Sequence, residues 1–149
     1  MAEGAEWLAR AEPRFAHAVD LCGIPPLRRR PDGFARLLQA IVSQQVSTHA
    51  ARAIWERMEA AGLNEPPAIL AADDATLRAP GLSRQKMRYA RALAEAGIDF
   101  EHLRQAPDHE VVATLIEVAG IGRWTAEIYA MFSLGRADVF APGDLALQE

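Results

Sequence analysis

The chain has 149 residues, 50% of them apolar and 24% charged, which suits one globular domain with a hydrophobic core. No apolar run approaches the roughly 18–20 residues of a membrane span, the acidic start has no apolar signal segment, and the single cysteine excludes a disulfide framework or cysteine-ligated metal cluster, so a reducing cytoplasm is expected. The net charge of −4 runs against a generally basic nucleic-acid-binding domain.

The dominant period is helical. Phe34, Leu37, Leu38, Ile41 and Val42 fall at i, i+3, i+4, i+7 and i+8, one stripe of an amphipathic helix. Ser43-Gln44-Gln45 breaks that stripe, and Ser47 reads as the N-cap of a second helix with Ala50, Ile54 and Met58 inward and a stop at Gly62. Asn64 to Pro67 reads as a connector. Pro80-Gly81 makes a turn, Ser83 caps the next helix, and Leu82 staples against Met87 before the helix ends at Gly97. A further helix from about Asp108 is expected to bury Val112, Leu115, Ile116 and Ala119. After Gly120-Ile-Gly122 the last clear helix carries Trp124, Ile128, Met131 and Phe132 and stops near Gly135, followed by a short extended piece at Asp138–Phe140. Cys22 reads as a minor core residue, and His17 and His49 as solvated or helix-packing histidines. The expected architecture is all-α, residues 1–149 forming a single helical unit.

Gly81-Leu-Ser-Arg-Gln and Gly120-Ile-Gly-Arg-Trp share one order: helix, glycine, apolar residue, small residue, arginine, helix. Only the second carries two glycines. A glycine pair there tolerates positive φ, keeps Cβ atoms away from an approaching group, and leaves the unpaired amides of the new helix facing outward. The positive end of the helix then favours an anion, most simply a phosphate. A purely structural corner between two helices remains the alternative for the glycines alone. Arginines also concentrate at Arg28-Arg29-Arg30 and, with Lys86, at Arg84, Arg88 and Arg91, where a solvated face is the commoner explanation.

Three ordered blocks carry a resemblance. AIVSQQVSTHAARAIWERM (residues 40–58), LRAPGLSRQKMRYARALAEA, and AGIGRWTAEIYAMFSLGRADVFAPGDLAL, in which Asp144 follows Trp124 by 20 residues across a Gly/Pro-rich loop, resemble the helix–hairpin–helix Gly/Pro-Asp superfamily of DNA glycosylases. Within it they look most like the DNA-3-methyladenine glycosylase II branch. The resemblance implies a monofunctional glycosylase that flips alkylated purines such as 3-methyladenine and 7-methylguanine out of duplex DNA and hydrolyses the N-glycosidic bond in base excision repair. A non-catalytic helix–hairpin–helix DNA-binding module and an inactive fragment of the enzyme are the alternatives.

By the same resemblance, Asp144 is the catalytic carboxylate, stabilising the oxocarbenium-like sugar and positioning or deprotonating water. On its own, an aspartate at this place would read as a helix N-cap; Asp138 is the weaker acidic candidate. Gln45 matches the residue that fills the gap left by the flipped base, with Gln44 beside it. Trp124 stands where bifunctional members carry a Schiff-base lysine, and Lys86, the only lysine, lies in another hairpin, so no lyase step is expected. An indole there also suits stacking with electron-poor bases. Ile128 replaces an aromatic ring of some relatives, with Tyr129 as a partial substitute. Gly120, Gly122, Arg123 and Thr125 would hold a phosphate. No organic cofactor or protein-ligated metal is implied, although a sodium or potassium ion at carbonyls of the hairpin turn is. The expected partner is lesion-containing duplex DNA, bound by a monomer. Family members continue past the aspartate into further helices, so the chain is expected to be C-terminally incomplete.

Overall fold

A computed structural model describes residues 2–145 and is helical throughout, with no strand among those residues. The N-terminal helices α1 (Ala2–Ala11) and α2 (Pro13–Cys22) pack on each other yet contain no buried residue. Trp7, Phe15 and Leu21 remain exposed. Cys22 is exposed as well, contrary to the core position expected of it, because the two-helix unit encloses too little volume to bury a side chain. An extended segment then leads to α3 (Phe34–Ser43), which sits at the centre of the molecule. Leu37, Leu38, Ile41 and Val42 are fully sequestered, and the stripe seen in the sequence is the one buried.

Around α3 pack α4 (Thr48–Ala60) and α7 (Arg84–Glu95), with short helices α5 (Pro66–Ala71) and α6 (Asp74–Arg78) against α7. Caps define these helices as the sequence suggests. Ser47 Oγ accepts from Ala50 N at 3.2 Å, and Ser83 Oγ accepts from Lys86 N at 3.3 Å. Leu82 and Met87 are both buried on either side of the second cap. The inward face of α4 is Ala51, Ile54, Trp55 and Met58, while Ala50 is only half-buried. The stretch expected as a connector already contains the start of α5, since Pro66 and Pro67 fit the first helical positions, where no amide is needed.

The helices α8 (Phe100–Gln105), α9 (Asp108–Ile116) and α10 (Arg123–Tyr129) complete the core. On α9 the buried residues are Val111, Val112 and Leu115, continued by Val118, and Ile116 is 45% exposed. One residue of helix rotates a side chain by about 100°, so with Leu115 pointing inward Ile116 turns to the surface, and Ala119 is exposed because it lies in the turn beyond the end of α9. Beyond α10 the helix continues as a π turn over Ala130–Leu134 and ends at Gly135. The piece at Asp138–Phe140 is irregular rather than a paired strand, and residues beyond Leu145 lie outside those described. No helix of the described residues is long and apolar enough to cross a membrane.

Candidate active site

The turn between α9 and α10 contains two glycines with different physical reasons. Gly120 has φ 94, and a Cβ built there would lie 2.4 Å from Tyr89 Cγ, so both backbone and packing require glycine. Ile121, 4% exposed, plugs the core beside it. Gly122 has an ordinary φ of −83, and a Cβ there would meet nothing within 4 Å. The fold does not demand glycine at 122. It also makes no side-chain cap bond, so the first-turn amides of Arg123, Trp124 and Thr125 stay open, the helix ladder starting with Ala126 N–H to Gly122 O at 3.0 Å. A small surface, open amides and the positive helix end together suit an oxyanion.

Next to this turn lies the loop between α3 and α4. Gln44 Nε2 donates to Gly120 O at 2.8 Å, tying the two loops across 76 residues of sequence. Gln45 is exposed with φ 55, the one non-glycine residue of positive φ among those described. Such a conformation costs on the order of 1 kcal/mol and concentrates where function holds it in place. The two loops border an open groove of about 660 Å3, whose wall includes Lys86 and Tyr89. Lys86 Nζ is buried and donates to Val42 O at 2.6 Å near the C-terminal end of α3, and burial lowers its pKa below the usual lysine value. Its ammonium is thus engaged in closing off a helix end.

A smaller cleft of about 210 Å3 opens between α3 and α10. Trp124, 47% exposed, forms one wall, with Thr125, Ile128 and Tyr129 further along α10 and Gln44 at the mouth. Tyr129 is buried, and its hydroxyl accepts from Gly33 N at 2.8 Å. Burial pushes that hydroxyl up to about 12, so it stays protonated. Opposite Trp124 stand Arg30 and Arg36, which no local sequence pattern links to α10. Asp144 is half-buried on the turn after Ala141, its N–H donating to Ala141 O at 3.0 Å, and it borders neither space within the described residues.

Of the residues singled out in the sequence, Gln44, Trp124, Thr125 and Tyr129 converge on the cleft, and Gln44, Gln45, Gly120 and Gly122 on the groove. Arg123 lies to one side, with its Nε 3.6 Å from the buried Glu127 carboxylate. Asp138 is exposed and borders neither the groove nor the cleft. No cluster of His, Cys, Asp or Glu among the described residues could hold a metal ion. A half-exposed indole beside an open helix end, with a polar loop bonded to the preceding turn, can stack a planar ring while holding a phosphate nearby.

The chain is similar to known proteins. Residues 38–149 match the HhH-GPD superfamily base excision DNA repair protein family. The chain is 32% identical to DNA-3-methyladenine glycosylase 1 of Schizosaccharomyces pombe over 128 residues, covering 80% of this chain and 56% of the relative. It is 37% identical to the DNA-3-methyladenine glycosylase of Saccharomyces cerevisiae, over 78% of this chain and 44% of that protein. The chain therefore spans about half the length of these curated relatives. Its structure superposes on a crystal structure of DNA-3-methyladenine glycosidase from Bacillus halodurans with a TM-score of 0.85 and 36% identity, covering 94% of this chain and 68% of that one. It also matches the S. pombe 3-methyladenine DNA glycosylase Mag1, solved in complex with abasic DNA, with a TM-score of 0.81 and 30% identity over 97% of this chain and 76% of that one. With its paired glycine hairpin, its glutamine loop and its α3–α10 cleft, the chain belongs to the HhH-GPD superfamily of base excision DNA repair glycosylases.

Proposed function

We propose that the chain forms the base-excising core of a DNA glycosylase of the 3-methyladenine II type, which hydrolyses the N-glycosidic bond of alkylated purines, 3-methyladenine and 7-methylguanine, in duplex DNA without cutting the strand. The observation that carries this reading is the Gln44 Nε2 bond to Gly120 O, which makes the glutamine loop, the glycine hairpin and the Trp124 cleft one continuous surface. In this reading the open amides after Gly122, helped by Arg123, hold a phosphate near the lesion. Gln45 enters the gap in the duplex, and its unusual backbone aims it outward. The flipped base stacks on Trp124 with Tyr129 closing the cleft behind it. Asp144 stabilises positive charge developing on the sugar and orients water.

Hydrolysis without a lyase step is supported by the placement of the only lysine. Lys86 borders the groove rather than the cleft, and its ammonium is bonded to Val42 O. A sodium or potassium ion at the hairpin belongs to the same reading; Gly120 O keeps one lone pair beyond its bond to Gln44, and neighbouring turn carbonyls supply further oxygens. The protein acts as a cytoplasmic monomer.

The test is release of base from duplexes containing 7-methylguanine or 3-methyladenine, by this chain and by a version extended at its C-terminus. Release by either supports the reading, and Asp144→Asn is expected to slow it by roughly 100-fold or more. Binding to lesion DNA without release by either form would leave only the DNA-binding module. A covalent adduct trapped by borohydride would instead show an amine nucleophile and overturn the monofunctional reading.

A further inference from the structure

Arg30, the last arginine of the run, is exposed but held in place. Arg30 N–H donates to Phe132 O at 2.9 Å, and its guanidinium lies over the Phe132 ring at 5.6 Å, which anchors it to the π turn after α10. Arg36 is half-buried on α3, with Nη1 donating to Gln39 Oε1 at 3.0 Å. Both face the cleft that Trp124 walls. No carboxylate among the described residues pairs with either. Asp32, the acid nearest in sequence, is taken by Arg104 at 2.7 Å. Burial, and next the charge of Arg30, lower the Arg36 pKa below the usual arginine value. A half-buried cation such as Arg36, beside a like charge and without a counter-ion, carries a cost that an electron-rich group in the cleft would offset.

Resting on the glycosylase reading, we infer that Arg30 and Arg36 stabilise the departing base: they set a positive potential at the base end of the cleft, favouring passage of the glycosidic electron pair onto the base. The C1′–N bond breaks and both its electrons go to the ring nitrogen. Water oxygen forms the new C1′–O bond and loses one proton. That proton ends on the departing base when the base was neutral in DNA, and is released when the base was cationic and leaves neutral. In both cases the base becomes more negative as the bond breaks, so nearby cations stabilise the transition state relative to the bound substrate. A base that is cationic in the ground state is repelled by the same arginines, and the repulsion is relieved as charge moves to the sugar.

This role separates rate from binding. Single-turnover excision and equilibrium binding are measured on duplexes carrying 7-methylguanine, a cationic base, and hypoxanthine, a neutral one. Arg36→Gln is expected to slow excision of both by about tenfold, to tighten binding of the 7-methylguanine duplex several-fold, and to leave binding of the hypoxanthine duplex unchanged. Arg36→Lys keeps the charge and is expected to retain most of the rate. Arg30→Gln follows Arg36→Gln with a smaller effect, and it carries the test alone should the Arg36 variant fail to fold. Unchanged rates, or equal loss of affinity for all duplexes with a shallower salt dependence, would mark a phosphate contact and overturn the inference. Absence of excision of both lesions by the unaltered chain and by its C-terminally extended form would overturn the glycosylase reading and this inference with it.

Discussion

The molecule contains the same hairpin twice, at α6–α7 and α9–α10, and the difference between the two separates folding from function. Gly81 and Gly120 both have positive φ, at 110 and 94, and the next residues, Leu82 and Ile121, are 3% and 4% exposed plugs of the core. The turns diverge one residue later. Ser83 caps α7 with its own hydroxyl, whereas Gly122 leaves the start of α10 open. The first hairpin satisfies its helix internally; the second leaves the same amides open. Two similar turns thus differ at the helix start by a single hydroxyl, and on the proposed function only the second is a binding turn.

The largest break in this comparison comes from Gly120→Ala. Its methyl group would collide with Tyr89 on a backbone that disfavours any side chain, and unfolding by denaturant should show a loss of about 2–4 kcal/mol. Gly122→Ser tests the functional half. It gives α10 the cap that α7 has, so stability should rise by a few tenths of a kcal/mol while affinity for abasic duplex falls by about tenfold at fixed salt. A gain in stability with unchanged affinity would reduce the second hairpin to a copy of the first. Ser83→Ala removes the cap from the structural copy and should cost about 1 kcal/mol in thermal unfolding.

The smallest effect is a dependence on pH. The helix leading into the first hairpin, α6, is tied to α7 by Arg91 and Asp74 at 2.6 Å, a pair without a histidine. The helix leading into the second is tied to α8 by His102 and Glu110 at 2.6 Å, and the hydrogen bond and charge of Glu110 hold the His102 pKa above its usual value. With the folded pKa raised, this contribution is fully present below about pH 6.5 and fades as pH rises through the elevated value. Amide hydrogen exchange on α9 should therefore quicken slightly, relative to that on α6, between about pH 6 and pH 8, after correction for intrinsic exchange.

Both hairpins were legible in the sequence because their signals are local: a glycine, an apolar plug and a small residue between two periodic helices. The short helices α5, α6 and α8 were not, since five or six residues complete too little of a helical stripe to stand out. The α1–α2 unit was missed for a related reason: it buries nothing and so leaves no core stripe to read. The site shows the same limit. Trp124 and the glycines announce themselves, but the bond from Gln44 to Gly120 spans 76 residues and that from Gly33 to Tyr129 spans 96. The convergence of Arg30 and Arg36 on Trp124 is set by that long-range packing and no spacing rule could supply it.

The bond between Gln44 and Gly120 also acts as a gauge. It ties the glutamine loop to the glycine hairpin, so on the proposed function the residue that would probe the base stack and the amides that would seat a phosphate could not be adjusted separately. Straight, well-stacked DNA offers its phosphates and base steps at one spacing, and a duplex weakened at a damaged pair bends more cheaply to another. On the proposed function, a protein with such a fixed gauge would sample that bending stiffness, with the DNA rather than the protein changing shape.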